Sequence, residues 1–202
     1  MESHLAPQQD RSVRTQQALL DALDRLLKTQ SFDELTVSQI ATEAGLTTGA
    51  IYRRFKDKRA LVEASFKRFV ERSEDLQVER TGAIENMSDP ERVEYLIRST
   101  LRFTTPYIPL MRAASALNDR PSFEYMRTAR NTTSDWLASQ LQTSSLDDKE
   151  LKRRTRFAMR TFAAVIRDTL LAGPGVRQRG KSQDSMILEL TRMTIGYLGI
   201  DN

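Results

Sequence analysis

Residues 35–61 read LTVSQIATEAGLTTGAIYRRFKDKRAL, and this stretch encodes two short helices separated by a glycine. Thr36 and Gln39 have the spacing of a capping box, in which each side chain binds the backbone N–H of the other residue, so the first helix is predicted to start at Thr36. Gly45 is placed to take the left-handed conformation that ends a helix. Thr47 can cap a second helix directly afterwards. Two short helices around a tight glycine turn are typical of a helix-turn-helix.

Apolar residues at helical spacing continue on both sides of this stretch. Leucines three and four residues apart predict an amphipathic helix from Val13 to Lys28, and Asp57 can cap a fourth helix that runs towards Leu76. Beyond Gly82 no stretch alternates as a β-strand does, and five further helices are predicted near residues 91–104, 108–117, 122–142, 148–172 and 183–198. The expected fold class is therefore all-α, with about nine helices.

Composition limits the possible functions of the chain. Among its 202 residues there is no cysteine, and the single histidine, His4, lies in a polar N-terminal segment that we expect to be disordered. A histidine-based catalytic triad or metal site would have to recruit that segment, and no glycine-rich phosphate loop follows a strand, so we predict neither an enzyme nor a cofactor. No signal peptide or membrane span is evident, so a cytoplasmic protein is expected.

The second helix of the central stretch has the chemistry of a DNA reader. It opens with small and hydroxyl-bearing residues, which can approach base edges closely, and five basic residues against one acidic residue lie between Arg53 and Arg59, where phosphates can be neutralised. For Arg59, and for Arg11 and Arg14 before the first helix, a solvated helix face explains the charge equally well. DNA contacts are predicted from Thr36, Thr47, Thr48, Gly49, Ala50, Tyr52, Arg53, Arg54, Lys56 and Lys58.

These residues resemble the DNA-binding signature of the tetracycline-repressor (TetR) family. The resemblance covers roughly residues 12–70 and is carried by the Leu-Thr opening and by Ile40-Ala41, Ala44-Gly45, Gly49, Tyr52, Phe55, Lys58 and Leu61. One departure is the pair Arg53-Arg54, since many relatives carry a histidine or an aromatic residue before the phenylalanine. This difference leaves the phosphate contacts of that pair open and does not alter the expected binding of double-stranded DNA.

The resemblance implies a C-terminal helical domain that dimerises through its last two long helices. Residues 148–172 carry an apolar stripe of Leu151, Phe157, Ala158, Phe162, Val165, Ile166 and Thr169. The final helix carries Met186, Ile187, Leu190, Met193, Ile195, Tyr197 and Leu198. Two such faces can build a four-helix bundle between subunits of a homodimer. The alternative is that both stripes belong to the core of the monomer.

The resemblance also implies a ligand pocket in this domain, for a small apolar or amphipathic molecule. Candidate lining residues are Phe103, Tyr107, Met111, Phe123, Met126, Trp136, Met159 and Phe162, although each of them singly is more often a core residue than a ligand contact. Four polar residues can orient a polar group of the ligand, although surface exposure explains them more simply: Arg102, Asn118, Arg127 and Asn131. The basic run from Lys152 to Arg160 can contact an anionic ligand, lipid or DNA. The simpler interpretation is that it forms the solvent-exposed side of its helix.

We therefore expect a disordered tail over residues 1–11, a helix-turn-helix domain over 12–57, a connecting helix over 58–80 and a ligand-binding and dimerisation domain over 81–202. The function these expectations favour is a repressor that leaves a palindromic operator when a small molecule binds. Two alternatives stay open: a DNA-binding regulator that needs no ligand, and one that a protein partner controls.

Overall fold

The computed structural model describes residues 6–142, 144–171 and 183–200, and within these ranges the all-α prediction is confirmed. The described part has no β-strand and only one isolated bridge, between Ser144 and Ile200. Its helices are α1 (Ala6–Leu26), α2 (Val37–Glu43), α3 (Thr48–Tyr52), α4 (Lys58–Ala83), α5 (Asp89–Thr104), a short 3-10 helix (Thr105–Tyr107), α6 (Ile108–Ala116), α7 (Arg120–Gln140), α8 (Asp148–Leu171) and α9 (Gln183–Leu198). Each helix in these ranges is too short or too polar to cross a lipid bilayer.

The observed helix boundaries differ most from the predicted ones at the N-terminus. Helix α1 begins at Ala6 instead of Val13, so residues 6–11 of the expected tail form its first turns. Residues 1–5, which include His4, and the loop expected after Gly173 lie outside the described residues. Helix α4 extends to Ala83, beyond the expected connecting helix. From α5 onward the predicted and observed ends agree to within two residues.

The chain forms two compact units, and the divisions between them fall inside α4, at the start of α6 and in the first turn of α7. The first unit comprises the described residues up to Phe69 together with Pro109–Phe123, and the second comprises Val70–Ile108 with the described residues from Glu124 onward. Helix α6 therefore clusters with the helix-turn-helix, although it lies far along the chain.

The first unit is built around the leucine stripe of α1. Leu19 and Leu23 are fully buried, as are Ile40 of α2 and Ile51 of α3. Arg68 of α4 is also buried, and its guanidinium donates hydrogen bonds to α1 at Gln17 Oε1 (3.1 Å), Asp21 Oδ1 (2.5 Å) and Asp24 Oδ2 (2.6 Å). Apolar packing and this charged cluster together hold the first half of α4 against α1. These contacts stabilise the unit that contains the helix-turn-helix.

The second unit has a core of its own, in which α5 and α8 both pack against α9. Its buried residues are Val93, Leu96, Ile97, Leu101, Leu137, Ala138, Leu151, Met159, Phe162, Ile166, Ile187, Leu190, Leu198 and Ile200. A buried ion pair fastens α7 to the start of α5, since Arg92 Nη1 lies 2.9 Å from Asp89 Oδ1 and 2.6 Å from the carbonyl oxygen of Gln140.

Candidate functional site

The turn between α2 and α3 has the geometry expected from the sequence. Thr36 Oγ1 accepts a hydrogen bond from the Gln39 backbone N–H (3.2 Å), and Gln39 Oε1 accepts one from the Thr36 N–H (2.8 Å), so the predicted capping box is present. Gly45 has φ +67°, and Leu46 N donates to the Ala41 carbonyl oxygen (2.8 Å). The positive φ lets the chain reverse directly after α2, and α3 starts three residues later.

Helix α3 turns one face to the core and the other to solvent. Ile51 is fully buried, Phe55 just after the helix is 7% exposed, and Ala50 is 4% exposed. Ala50, which the sequence analysis assigned to DNA contact because a small residue allows close approach, lies on the same buried face as Ile51, so its side chain packs into the core. The solvent-facing side, called here the recognition face, consists of Thr47, Thr48, Gly49, Tyr52 and Arg53.

Two residues of the recognition face, Thr47 and Gly49, are not required by the structure of the helix itself. Thr47 occupies the N-cap position of α3, but its side chain makes no cap hydrogen bond, so its hydroxyl is not committed to the backbone. Gly49 needs no special backbone angle, and a Cβ built there would lie 3.8 Å from Thr47 Oγ1, an ordinary contact distance. Neither the fold nor the packing requires glycine at position 49, whereas close approach by an outside molecule would.

The predicted phosphate-binding residues fall into two groups. Arg53 and Lys56 are exposed, and Tyr52 beside them is 59% exposed. Arg54 is partly buried, and its Nη2 donates a long hydrogen bond (3.4 Å) to Ser12 Oγ of α1. Thr36 is exposed, although its hydroxyl is engaged in the capping box. The structure therefore offers Tyr52, Arg53 and Lys56 to a polyanion directly.

Lys58 has an internal role that the sequence did not reveal. Its Nζ donates to the carbonyl oxygens of Phe32 (2.7 Å) and Leu35 (2.8 Å), which leaves one of the three N–H donors of the ammonium for another partner. Arg59 is also engaged, because its Nη2 donates to the Leu117 carbonyl oxygen (3.2 Å) at the end of α6. The positive charge that faces solvent beside α3 is thus smaller than the sequence count suggests.

The predicted ligand-lining residues are divided between the units. Met111 and Phe123 belong to the first unit, and the other six belong to the second: Phe103, Tyr107, Met126, Trp136, Met159 and Phe162. Met159 and Phe162 are buried in the core of the second unit and Trp136 packs against it, so the core interpretation accounts for these three. Phe103 and Tyr107 do lie together, with ring centres 5.5 Å apart.

Two polar residues of the second unit, Arg80 and Gln77, were not predicted as functional from the sequence. Arg80 is 3% exposed and donates to Ser99 Oγ (3.0 Å) and Thr100 Oγ1 (2.8 Å) of α5. Burial lowers the pKa of Arg80 to about 10, so the guanidinium remains charged at neutral pH. The signal was present in the sequence, because Arg80 continues the three- and four-residue spacing of Phe66, Phe69, Ser73 and Leu76.

Some residues of the two apolar stripes expected at a dimer interface are buried within the monomer, and others face solvent. Leu151, Ala158, Phe162 and Ile166 of α8 and Ile187, Leu190 and Leu198 of α9 are buried within the monomer. On these two helices, the large apolar side chains that face solvent are Phe157 (53% exposed), Met193 (43%) and Leu188 (46%). Leu188 belongs to neither predicted stripe. Thr169 has no described side chain. The core interpretation thus holds for most of both stripes, and α8 and α9 still expose apolar area.

The basic run of α8 lines an open groove beside α7. Arg153 and Arg154 form ion pairs with Glu150, and Arg156 pairs with Asp135 of α7 (2.6 Å). The groove has a volume of about 840 Å³, and it also includes Arg130, Lys152, Phe157 and Arg160. Two carboxylates, Glu150 and Asp135, therefore offset part of the positive charge of the run, and these pairs are those of a solvent-exposed helix side.

Residues 19–65 match the model of a family described as bacterial regulatory proteins, tetR family. A curated relative, the HTH-type transcriptional regulator BetI of Escherichia coli, is 30% identical over 86 residues. The match covers 43% of this chain and 44% of BetI, so this chain spans less than half the length of that relative.

Solved structures share the fold over nearly the whole chain. A TetR-family transcriptional regulator from Mesorhizobium loti gives a TM-score of 0.69 at 17% identity and covers 93% of this chain and 96% of its own. The fatty acid degradation regulator FadR from Bacillus halodurans gives 0.68 at 15% identity, with coverage of 92% and 97%. FadR from Bacillus subtilis, solved in complex with stearoyl-CoA, gives 0.59 at 15% identity, with coverage of 92% and 99%.

Proposed function

Because residues 19–65 match the tetR family of bacterial regulatory proteins, we propose that this chain is a transcriptional repressor that reads a specific operator with α3. The observation that carries the proposal is the division of α3 into a buried face and the recognition face. Ile51 anchors the helix in the core, while Thr47, Gly49 and Tyr52 stay in solvent on a short helix that can enter a major groove.

Contacts to DNA are assigned by chemistry. The hydroxyls of Thr47 and Thr48 can bond to base edges or phosphates, and Gly49 permits the closest approach of backbone to DNA. Tyr52, Arg53, Lys56 and the remaining donor of Lys58 can bind phosphates on either side. Arg54 and Thr36 are assigned to the edge of the contact, since both already make internal hydrogen bonds.

The active form is proposed to be a homodimer assembled through α8 and α9. Exposed Phe157, Leu188 and Met193 support this assignment, because α8 and α9 pack against each other and these three side chains leave apolar area of the helix pair in solvent. Two copies of α3 related by a twofold axis read a palindrome whose half-sites lie about one helical turn of DNA, or a multiple of it, apart.

Release from the operator is proposed to follow the binding of a small apolar or amphipathic molecule in the second unit. The described complex of Bacillus subtilis FadR with stearoyl-CoA shows such a ligand on a protein of this fold. Helix α4 contributes residues to both units and is the natural element to transmit the change. Ligand binding shifts the equilibrium only by its difference in affinity for the DNA-competent and incompetent states.

Operator selection tests this function. Purified protein is mixed with fragmented genomic DNA, the bound fragments are sequenced, and the affinity of the best fragment is measured across salt concentrations. An enriched palindrome that Tyr52→Ala and Arg53→Ala variants bind at least tenfold more weakly supports the proposal. The matched control is Lys67→Ala on α4, an exposed basic residue away from α3, α8 and α9 whose loss should leave affinity unchanged.

Two alternatives predict different outcomes. A regulator that needs no ligand binds the palindrome tightly in the presence of every small molecule tried. A regulator controlled by a protein forms a stable complex with a partner that competes with the operator. Weak binding that is indifferent to sequence and disappears as salt rises contradicts specific DNA reading altogether.

A further inference from the structure

Arg80 is a buried cation that the fold does not neutralise. Two nitrogens of its guanidinium donate to the uncharged hydroxyls of Ser99 and Thr100, and in the described part of the chain no carboxylate forms an ion pair with it. The contrast with Arg68 is informative, because Arg68 is similarly buried and reaches two aspartates. A charge removed from water without a counter-charge is costly, so its presence calls for a reason beyond packing.

A second donor lies one turn earlier on the same side of α4. Gln77 Oε1 accepts a weak hydrogen bond from Thr133 Oγ1 of α7 (3.5 Å), while Gln77 Nε2 is buried and has no hydrogen-bond partner. Residues three apart on a helix are neighbours, so the Gln77 amide and the Arg80 guanidinium present N–H donors side by side. Gln77 Nε2 lacks an acceptor and Arg80 lacks a counter-charge, and a carboxylate can supply both.

We propose that Arg80 and Gln77 form a binding site for the carboxylate of a small organic ligand with an apolar body. The planar guanidinium matches the two oxygens of a carboxylate, and Gln77 Nε2 supplies an additional donor. The hydroxyls of Ser99 and Thr100 hold the guanidinium in place. The ligand thereby supplies the missing counter-charge, which makes its binding sensitive to the loss of either side chain.

The surroundings suit an apolar body next to that carboxylate. Trp136 of α7 packs against the core of the second unit, and its Nε1 donates to Thr81 Oγ1 of α4 (3.1 Å), which places an aromatic ring one residue along from Arg80. Leu96, Ile97 and Leu101 of α5 flank the two hydroxyl residues in sequence and are buried in the same core. Monocarboxylic acids with an aliphatic or aromatic body fit this combination better than sugars or free phosphate.

The direct test measures binding to the full chain with three probes: sodium benzoate, sodium octanoate and sodium laurate. Each acid is compared with its primary amide, which has nearly the same shape and no charge. We expect at least one acid to raise the melting temperature of the protein by several degrees and its amide to give a much smaller shift. Isothermal calorimetry then gives the dissociation constant.

Three variants distinguish a binding site from a structural role. Arg80→Met and Gln77→Leu are expected to weaken binding of the acid at least tenfold, and Arg192→Met is the exposed control that should leave it unchanged. Without ligand, Arg80→Met is expected to keep or raise the melting temperature, because it removes an uncompensated buried charge. Gln77→Leu keeps the test open if Arg80→Met does not fold.

The proposal is overturned if none of the three acids binds the wild type, or if both variants bind the acid as the wild type does. It is also overturned if both variants melt well below the wild type without ligand, since their role is then to hold the helices together.

A regulatory role for this site rests on the function proposed above. Measurements of operator binding distinguish the carboxylate site from ligand-induced release. An acid that binds through Arg80 without changing operator affinity supports the site and contradicts ligand-induced release. An operator released by a neutral molecule equally well from Arg80→Met supports release and contradicts a regulatory role of the Arg80 site.

Discussion

The ammonium of Lys58 lies 4.3 Å from the centre of the Phe32 ring and donates a hydrogen bond of 2.7 Å to the carbonyl oxygen of the same residue. A second bond of 2.8 Å reaches the Leu35 carbonyl oxygen, directly before the N-cap of α2. Lys58 therefore ties the start of α4 to the loop between α1 and α2, and it holds the helix-turn-helix in shape before any DNA is present.

Replacing Lys58 with Met should lower the free energy of unfolding by about 1–3 kcal/mol, because two charge-assisted hydrogen bonds and a cation–π contact are lost. Urea denaturation followed by circular dichroism measures the change. Lys67→Met, at an exposed position of the same helix, is the control and should unfold as the wild type does. If Lys58→Met is as stable as the wild type but binds DNA weakly, Lys58 acts on phosphate alone.

Two glycines four residues apart should respond in opposite ways to alanine. Gly45→Ala forces a Cβ into the left-handed region and should cost about 1–2 kcal/mol of stability. Gly49→Ala should leave stability unchanged or slightly higher, because its Cβ meets nothing closer than 3.8 Å, yet it should weaken operator binding about tenfold by blocking close approach. Thermal melts and fluorescence anisotropy with the selected operator measure both effects. Equal operator affinity in Gly49→Ala would remove this residue from the interface.

A charge at the exposed apolar positions of α8 and α9 should break the proposed dimer. Met193→Glu and Phe157→Glu place a carboxylate in an interface where it would be buried without a partner, so sedimentation velocity should show monomers. Val78→Glu on α4 is the matched control, since Val78 is the most exposed large apolar residue in the described part of the chain and lies on another helix. Intact dimers of both Glu variants would locate the interface elsewhere.

The cluster around Glu150 should make stability depend on acid pH. Hydrogen bonds from Arg153 and Arg154 lower the pKa of the Glu150 carboxyl from its ordinary 4.5 to about 2. A depressed folded-state pKa means that the stabilisation is complete above about pH 4.5 and is lost as the pH falls towards 2. Glu150→Gln should therefore lose less stability than the wild type between pH 4.5 and 2 in acid titrations monitored by circular dichroism. Parallel curves for the two proteins would contradict the prediction, because they would show that the pKa of Glu150 is the same in the folded and the unfolded chain.

Local signals were sufficient for the helix-turn-helix. The Thr36 capping box, the left-handed Gly45 and the Asp57 cap, whose Oδ1 accepts from the Ala60 N–H at 2.9 Å, all form as expected. Each depends on residues within four positions of one another, so the pattern of side chains carries the information needed. The all-α class and the ends of most helices follow from the same short-range periodicity.

The roles of individual side chains depended on contacts between distant parts of the chain. Ala50 lies in the core, Lys58 binds carbonyl groups 23 and 26 residues away, and Arg80 is buried beside α5 without a carboxylate. The sequence alone determined that this chain carries a helix-turn-helix within an all-helical fold, because helices and caps are local. Only the tertiary structure decided which basic residues remain available for DNA and which buried arginine has no carboxylate partner. The physical reason is that burial and ion pairing depend on helices that meet only when the chain has folded.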